Sequence, residues 1–327
     1  MTKTRYEILD GLRGYFLVFM LLNHLIFSGD LMLRHFNHAE LGYVQDAQGF
    51  VFLSGLIIGL LYTRTAGRGG LWPIWEKVRS RALDLIIYNS IVILIVLGLA
   101  FLLPHTRAFW FHMLGVYDQP AVRSISALLM LYQPTFMDIL PQYILYIIVS
   151  PFLVWAVMRG RWIEVMGGSL VLWFVVQVGL PVPLVHHIEQ VVGAAGAPGF
   201  RLRTAFNPQA WQIVIVSGLV LGALVQAGKM DLKRVFPAHR TGPLWLCLGL
   251  MALFAYYRLG TNWHFLPEAL ARRATAMDVR NELSLIYLVN FVATGYAIAW
   301  LMIAGTEASS RVARAFGHAL RTVFAWR

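Results

Sequence analysis

The sequence predicts an all-α protein embedded in a membrane, a polytopic bundle of about eight transmembrane helices. Three observations carry that fold class. Of the 327 residues 58% are hydrophobic and only 13% are charged, about half the charged share of an ordinary soluble domain. The mean hydropathy is +0.64. The apolar residues also fall in long blocks rather than at amphipathic spacing, and those blocks are long enough to cross a hydrocarbon core of roughly 30 Å. Helices are expected near 12–29, 47–63, 83–103, 138–158, 163–181, 209–227, 243–257 and 284–303, in one domain covering residues 1–327.

The first apolar run follows "MTKTRYEILDGLRG" without a small-residue cleavage site, so it is expected to stay as a helix. Asp10 and Arg13 sit three residues apart at its start, on one helical face. An interfacial ion pair, with Arg13 as a topology anchor, is the plain reading of that pair. His24 lies eleven residues beyond Arg13, roughly 16 Å further along the axis and past the midplane. An ionisable side chain at that depth faces protein or water and marks a candidate functional residue. The competing reading is a neutral imidazole hydrogen-bonded between helices.

The second helix opens with "DAQGFVFLSGL". Asp46 at its start suits the positive end of the helix dipole, so a simple cap competes with a catalytic role. Gly55 and Gly59 form a small-xxx-small pair that lets a neighbouring helix approach closely. Ser54 in the same turn has a hydroxyl to offer across a helix interface. A basic run follows, "RTAGRGG…EKVRSR", expected as a loop that exposes Lys77, Arg79 and Arg81.

After the third helix, the block 104–137 is too long for a turn, and "SISALLMLY" within it reads as a short interfacial or re-entrant helix. Gln133, Asp138 and Gln142 cluster at the start of the fourth helix, and Asn207, Gln209, Trp211 and Gln212 at the start of the sixth. Amides beside Trp are what a carbohydrate site uses, and also what an interfacial aromatic belt contains. Loop 182–208 holds Arg201 and Arg203, and the adjacent His186 and His187 without a third ligand. No metal is expected, because the chain has no metal-ligand cluster. It also lacks a G-x-S-x-G elbow and a phosphate-binding glycine loop. The one cysteine, Cys247, falls inside the seventh span and excludes an internal disulfide. The end, "FGHALRTVFAWR", reads as the start of another hydrophobic helix.

The net charge of +11 points to basic loops that hold an orientation rather than to nucleic acid. With the N-terminus inside, 18 of the 27 Lys and Arg fall on the inner side and seven of the ten His on the outer side. The even helix count then puts the C-terminus inside as well.

The motifs "LDGLRGYFLVFMLLNHL", "DAQGFVFLSGL", "YQPTFMDILPQYIL" and "FNPQAWQ", in order from residue 9 to about 228, resemble the OpgC family. These are inner-membrane proteins of proteobacteria that succinylate osmoregulated periplasmic glucans, within the wider group of transmembrane acyltransferases. The family's "NH" falls on Asn23 and His24. Its "D-A-x-x-F-V-F-L-S-G" falls on Asp46 through Gly55, and its "Q-P-T-F-x-D-I-L-P" on Gln133 through Pro141. Leu56 stands where the family commonly has an aromatic or polar residue. The family has about ten helices, so the resemblance implies that the final one or two are missing here.

The resemblance implies acyl transfer from cytoplasmic succinyl-CoA to hydroxyls of periplasmic glucans, with acetyl-CoA as the alternative donor and another glycan as the alternative acceptor. His24 is then the general base, working near its ordinary pKa. Asp46 orients it, and Asn23 is an oxyanion donor or a tie to a neighbouring helix. His35 and His38 are the spare bases. The donor's phosphates fall to Arg13 with Asp10, and to Lys77, Arg79 and Arg81, with Ser54 on the same path. Gln133, Asp138, Gln142, Asn207, Trp211, Gln212, Arg201 and Arg203 line the glycan side. The expected partners are membrane lipids, acyl-CoA and the glucan, with an oligomer compatible and no nucleic acid. The rival from another class is a transporter or flippase for a glycan or lipid-linked sugar. That rival needs discontinuous helices in two matching halves, whereas the intramembrane polar residues here gather in helices 1 and 2 and no repeat is visible.

Overall fold

The computed structural model describes residues 3–25, 38–106, 108–109, 119–134, 137, 139–202 and 206–325. Among them the regular structure is helical, with no strand, as lipid requires of a chain that must satisfy its backbone hydrogen bonds internally.

Helix α1, Lys3–Leu25, has 23 residues and at 1.5 Å per residue is long enough to span. A single turn, α2 (His38–Leu41), leads to α3 (Asp46–Gly69) and α4 (Trp72–Leu102). The basic run expected as a loop is helical instead. Helix α3 continues through Arg64 and Arg68, and Lys77, Arg79 and Arg81 ride on the first turns of α4. Arg, Lys, Ala and Glu are good helix formers. The reversal therefore shrinks to Gly70, at φ +73°, and Leu71, and Pro73 starts α4.

The segment read as too short to span is helix α5, Pro120–Leu128, stopped by Met130 at φ +59°. Helix α6 is Ile139–Met158. The expected fifth span ends early. Helix α7, Trp162–Gln177, gives way after a 70° bend to α8, Pro181–Ala194. Gly179 at φ +72° closes α7 in the left-handed conformation that glycine adopts without strain, and Pro181 restarts the chain. His186 and His187 consequently lie on a helix and not on a loop.

Helix α9 is Pro208–Gln226, α10 Leu232–Val235, α11 Gly242–Asn262, α12 Glu268–Met277 and α13 Leu285–Ile303. Among the described residues, six of the helices are long and apolar enough to cross a membrane, and the α7–α8 pair makes a seventh if read as one bent span. Helix α1, at 23 residues, is also long enough to span.

The last helix, α14 (Arg311–Ala325), is amphipathic rather than uniformly apolar. Arg321 donates to the carbonyls of Met302 (2.7 Å) and Ile303 (3.1 Å) at the end of α13. Arg314 does the same for Ala308 (2.6 Å) and Ser309 (2.7 Å). Helix C-termini leave such carbonyls without intrahelical partners. The ring of Phe324 meets Tyr15 of α1 edge-on at 5.8 Å.

Two compact units make up the chain: residues 1–60 with 217–327, and residues 61–216. In the first, Leu244, Ala297, Trp300, Ala304 and Ala308 form a core in which the Trp300 indole donates to Pro237 O at 3.2 Å. The same unit holds a close helix pair. A Cβ on Gly59 of α3 would stand 2.1 Å from Leu219 O, and one on Gly222 of α9 would stand 2.2 Å from Leu56 O. Gly59 thus permits the close approach expected of it. In the second unit Ile93, Leu97, Ala127 and Tyr132 form a core.

Candidate functional site

Asp46, Arg13, Asp10, Ser54, Asn23 and His24 all belong to the first unit. Asp46 is the first residue of α3 and is 3% exposed. The preceding Gln45 N–H donates to Gln48 Oε1 at 2.8 Å, the back-reaching half of a capping box. Gln48 is fully buried, and its Nε2 donates to Tyr287 O at 3.4 Å, which ties the start of α3 to α13.

Helix α1 packs on this first part of α3. The Phe16 ring occupies the space a side chain at Gly49 would fill, and the Arg13 guanidinium stacks on Phe50 at 5.6 Å. Tyr15 lies within electrostatic reach of Asp46. Arg13 also forms the anticipated pair with Asp10, at 3.8 Å, and its Nε is buried without a hydrogen-bond partner. The Ser54 hydroxyl is likewise buried and unpartnered. The side chains of Asn23 and His24 lie outside the described residues, as does His35, and so does the side chain of His38. The helix itself reaches Leu25. At 3.6 residues per turn, position 24 falls about 20° around the axis from position 13, and position 23 about 20° from position 16. Both are on the side of α1 that bears Arg13 and Phe16.

The sequence gives no sign of a second polar cluster in this unit. Arg258 of α11 donates to Asp278 Oδ2 at 2.7 Å, and Tyr287 of α13 donates its hydroxyl to Asp278 Oδ1. The Arg258 guanidinium lies 5.5 Å from the Tyr43 ring, which meets Tyr287 edge-on at 5.6 Å. Burial first, then the Asp278 carboxylate, push the Tyr43 hydroxyl above its usual range, while Arg258 opposes them. These four residues come from three distant segments, so no spacing rule gathers them.

Two grooves lie among the described residues of the second unit. One, of about 470 Å³, is lined by Leu61, Arg64, Thr65, Arg68, Pro73 and Lys77. Of the three basic residues singled out in the sequence, only Lys77 reaches it; Arg79 and Arg81 are exposed elsewhere on α4. Arg64 and Arg68 were hidden in a run that looked like a loop.

The other groove, of about 530 Å³, takes in Arg123, Tyr132, Val182, Glu189, Arg201 and Asn207. Arg201 is bonded to Glu189 at 2.8 Å, so its charge is answered within the protein. Asn207 Oδ1 accepts from Gln209 N at 3.0 Å and caps α9. Gln133 is buried beside Tyr132, and its Oε1 is unpartnered. Trp211, 1% exposed, packs on Phe206 at 4.5 Å. Gln212 exchanges two bonds with Ser169, each 2.7 Å. Gln142 is buried on α6. Asp138 and Arg203 lie outside the described residues. The fold therefore brings Arg201 and Asn207 to one groove, while Trp211 and Gln212 are engaged inside the helix packing.

Among the described residues no group of three His, Cys, Asp or Glu is placed to hold a metal ion. No curated protein and no solved structure matches the chain. A family match is found: the family described as OpgC protein covers residues 5–323, nearly the whole sequence, and the chain, a multi-pass membrane protein, belongs to that family.

Proposed function

We propose that this protein is an inner-membrane O-acyltransferase that moves a succinyl group from cytoplasmic succinyl-CoA to hydroxyls of periplasmic glucans. Membership of the OpgC family points to acyl transfer, and the match over residues 5–323 is the observation that carries the reading. The buried carboxylate of Asp46, packed where α1 crosses α3, supports it.

In this mechanism the acceptor oxygen attacks the thioester carbonyl carbon while His24 takes the hydroxyl proton. The C–S bond then breaks, the coenzyme leaves as a thiolate, and the imidazolium returns the proton to it. Asp46 stabilises the imidazolium as it forms. Counted from the Phe16–Gly49 contact, His24 is eight residues further along α1, about 12 Å, and Asp46 three residues back along α3, about 4.5 Å. With the two helices running in opposite senses, about 7 Å of axial distance remains. Asp46 acts on the imidazole directly or through one water. Arg13, which stacks on Phe50 near the Asp46 end of α3, is the contact for the donor's phosphates in this reading.

The test is transfer of labelled succinyl from succinyl-CoA to glucan by the purified protein. Arg13→Ala is expected to raise the KM for succinyl-CoA by about tenfold, the scale of one charge-assisted phosphate contact, with a smaller change in kcat. An unchanged KM in folded protein removes Arg13 from the donor site.

The N-terminus is cytoplasmic in this reading, because the basic residues gather on that side. Single cysteines introduced at positions 70 and 235 in a Cys247→Ser background are expected to resist a membrane-impermeant thiol reagent added to intact cells, and to react after lysis. Labelling of either from outside reverses the topology.

A further inference from the structure

The groove lined by Arg64, Thr65, Arg68 and Lys77 is unlike the basic residues at two other helix reversals. There, Arg161 pairs with Glu164 (3.3 Å), Lys233 with Glu307 (2.9 Å) and Arg234 with Asp231 (3.7 Å). The Lys233 ammonium also holds the Glu307 carboxyl below its ordinary value. Among the described residues, Arg64, Arg68 and Lys77 have no such carboxylate, and none lines the groove. A rule that only counts positive charge on one side of a membrane does not require three cations to converge on one unpaired concavity.

The groove is also pre-organised. Lys77 Nζ donates to Thr65 Oγ1 at 3.1 Å, and the Thr65 hydroxyl is fixed by donating to Leu61 O at 2.9 Å. That leaves the remaining ammonium protons and two guanidinium forks for a ligand. Guanidinium geometry matches phosphate oxygens two at a time. The apolar rim of Leu61 and Pro73, beside Trp72 at 73% exposure, suits the membrane–water interface.

We propose that this groove binds a phosphate ester. Its source is either the headgroup of an anionic phospholipid or the phosphates of the acyl donor; the second source rests on the transfer reading above. The test uses purified full-length protein and the double variant Arg64→Gln, Arg68→Gln, with Arg161→Gln as a charge-matched control outside the groove. One arm counts phosphatidylglycerol retained in native mass spectrometry after extraction from vesicles of phosphatidylglycerol and phosphatidylcholine. The other titrates coenzyme A and 3′-dephospho-coenzyme A by calorimetry. Loss of two charge-assisted contacts is expected to weaken one probe by at least about tenfold, while the control keeps wild-type binding. A loss confined to phosphatidylglycerol identifies the lipid, and a loss confined to coenzyme A identifies the donor. Unchanged binding of both probes, or an equal loss in the control, overturns the proposal. Because both arms read binding without turnover, their failure does not touch the role given to His24.

Discussion

His24→Ala is expected to lower transfer by about 100-fold or more, the scale of a positioned general base. A sugar hydroxyl is a poor nucleophile, and an imidazole is the side chain whose unperturbed pKa suits a base near neutral pH. Position 24 lies on the same side of α1 as Arg13 and Phe16 by register. Asp46→Asn keeps shape and burial but removes the charge that stabilises the imidazolium. It is therefore expected to lose activity while succinyl-CoA binding stays near wild type. The readout is the anionic charge of periplasmic glucans from cells carrying each variant at matched protein level. Normal succinylation with His24→Ala sinks the assignment, and a loss with His35→Ala alone moves the base to the following segment.

Gly222→Val is expected to destabilise the protein by about 2 kcal/mol or more, at the upper end of what overpacking costs. A Cβ at 222 would stand 2.2 Å from Leu56 O and 3.0 Å from Leu60 N, and one at Gly218 2.2 Å from Phe52 O. Those neighbours are helix backbone and cannot swing aside as a flexible side chain does. Helices α3 and α9 must separate, and the whole interface then loses dispersion contact. That loss is felt in lipid, where apolar side chains gain nothing by leaving the solvent. Gly168→Val is the control, because a Cβ there meets nothing within 4 Å. Unfolding of both variants in detergent gives the comparison, and equal midpoints contradict the close packing inferred here.

Composition and block hydropathy by themselves determined the membrane class, the helical fold and the order of spans, because in lipid a backbone must satisfy its own hydrogen bonds. Motif order alone likewise identified the family, and the depth of His24 on helix 1 marked the first candidate base. Tertiary structure decided what local pattern cannot encode. It made the basic run around Arg64 to Arg81 a helical hairpin, since helix propensity outweighed its polar look once Gly70 supplied the turn. It broke the fifth span at Gly179 and turned the expected last hydrophobic helix into an amphipathic one braced by Arg321. It also chose among residues of equal promise. Arg64 and Arg68 joined Lys77 at a groove, while Gln212 was consumed by Ser169 and Arg201 by Glu189. Whether a polar side chain is available to a ligand depends on which distant segment folds against it, and that partner is absent from its own stretch of sequence.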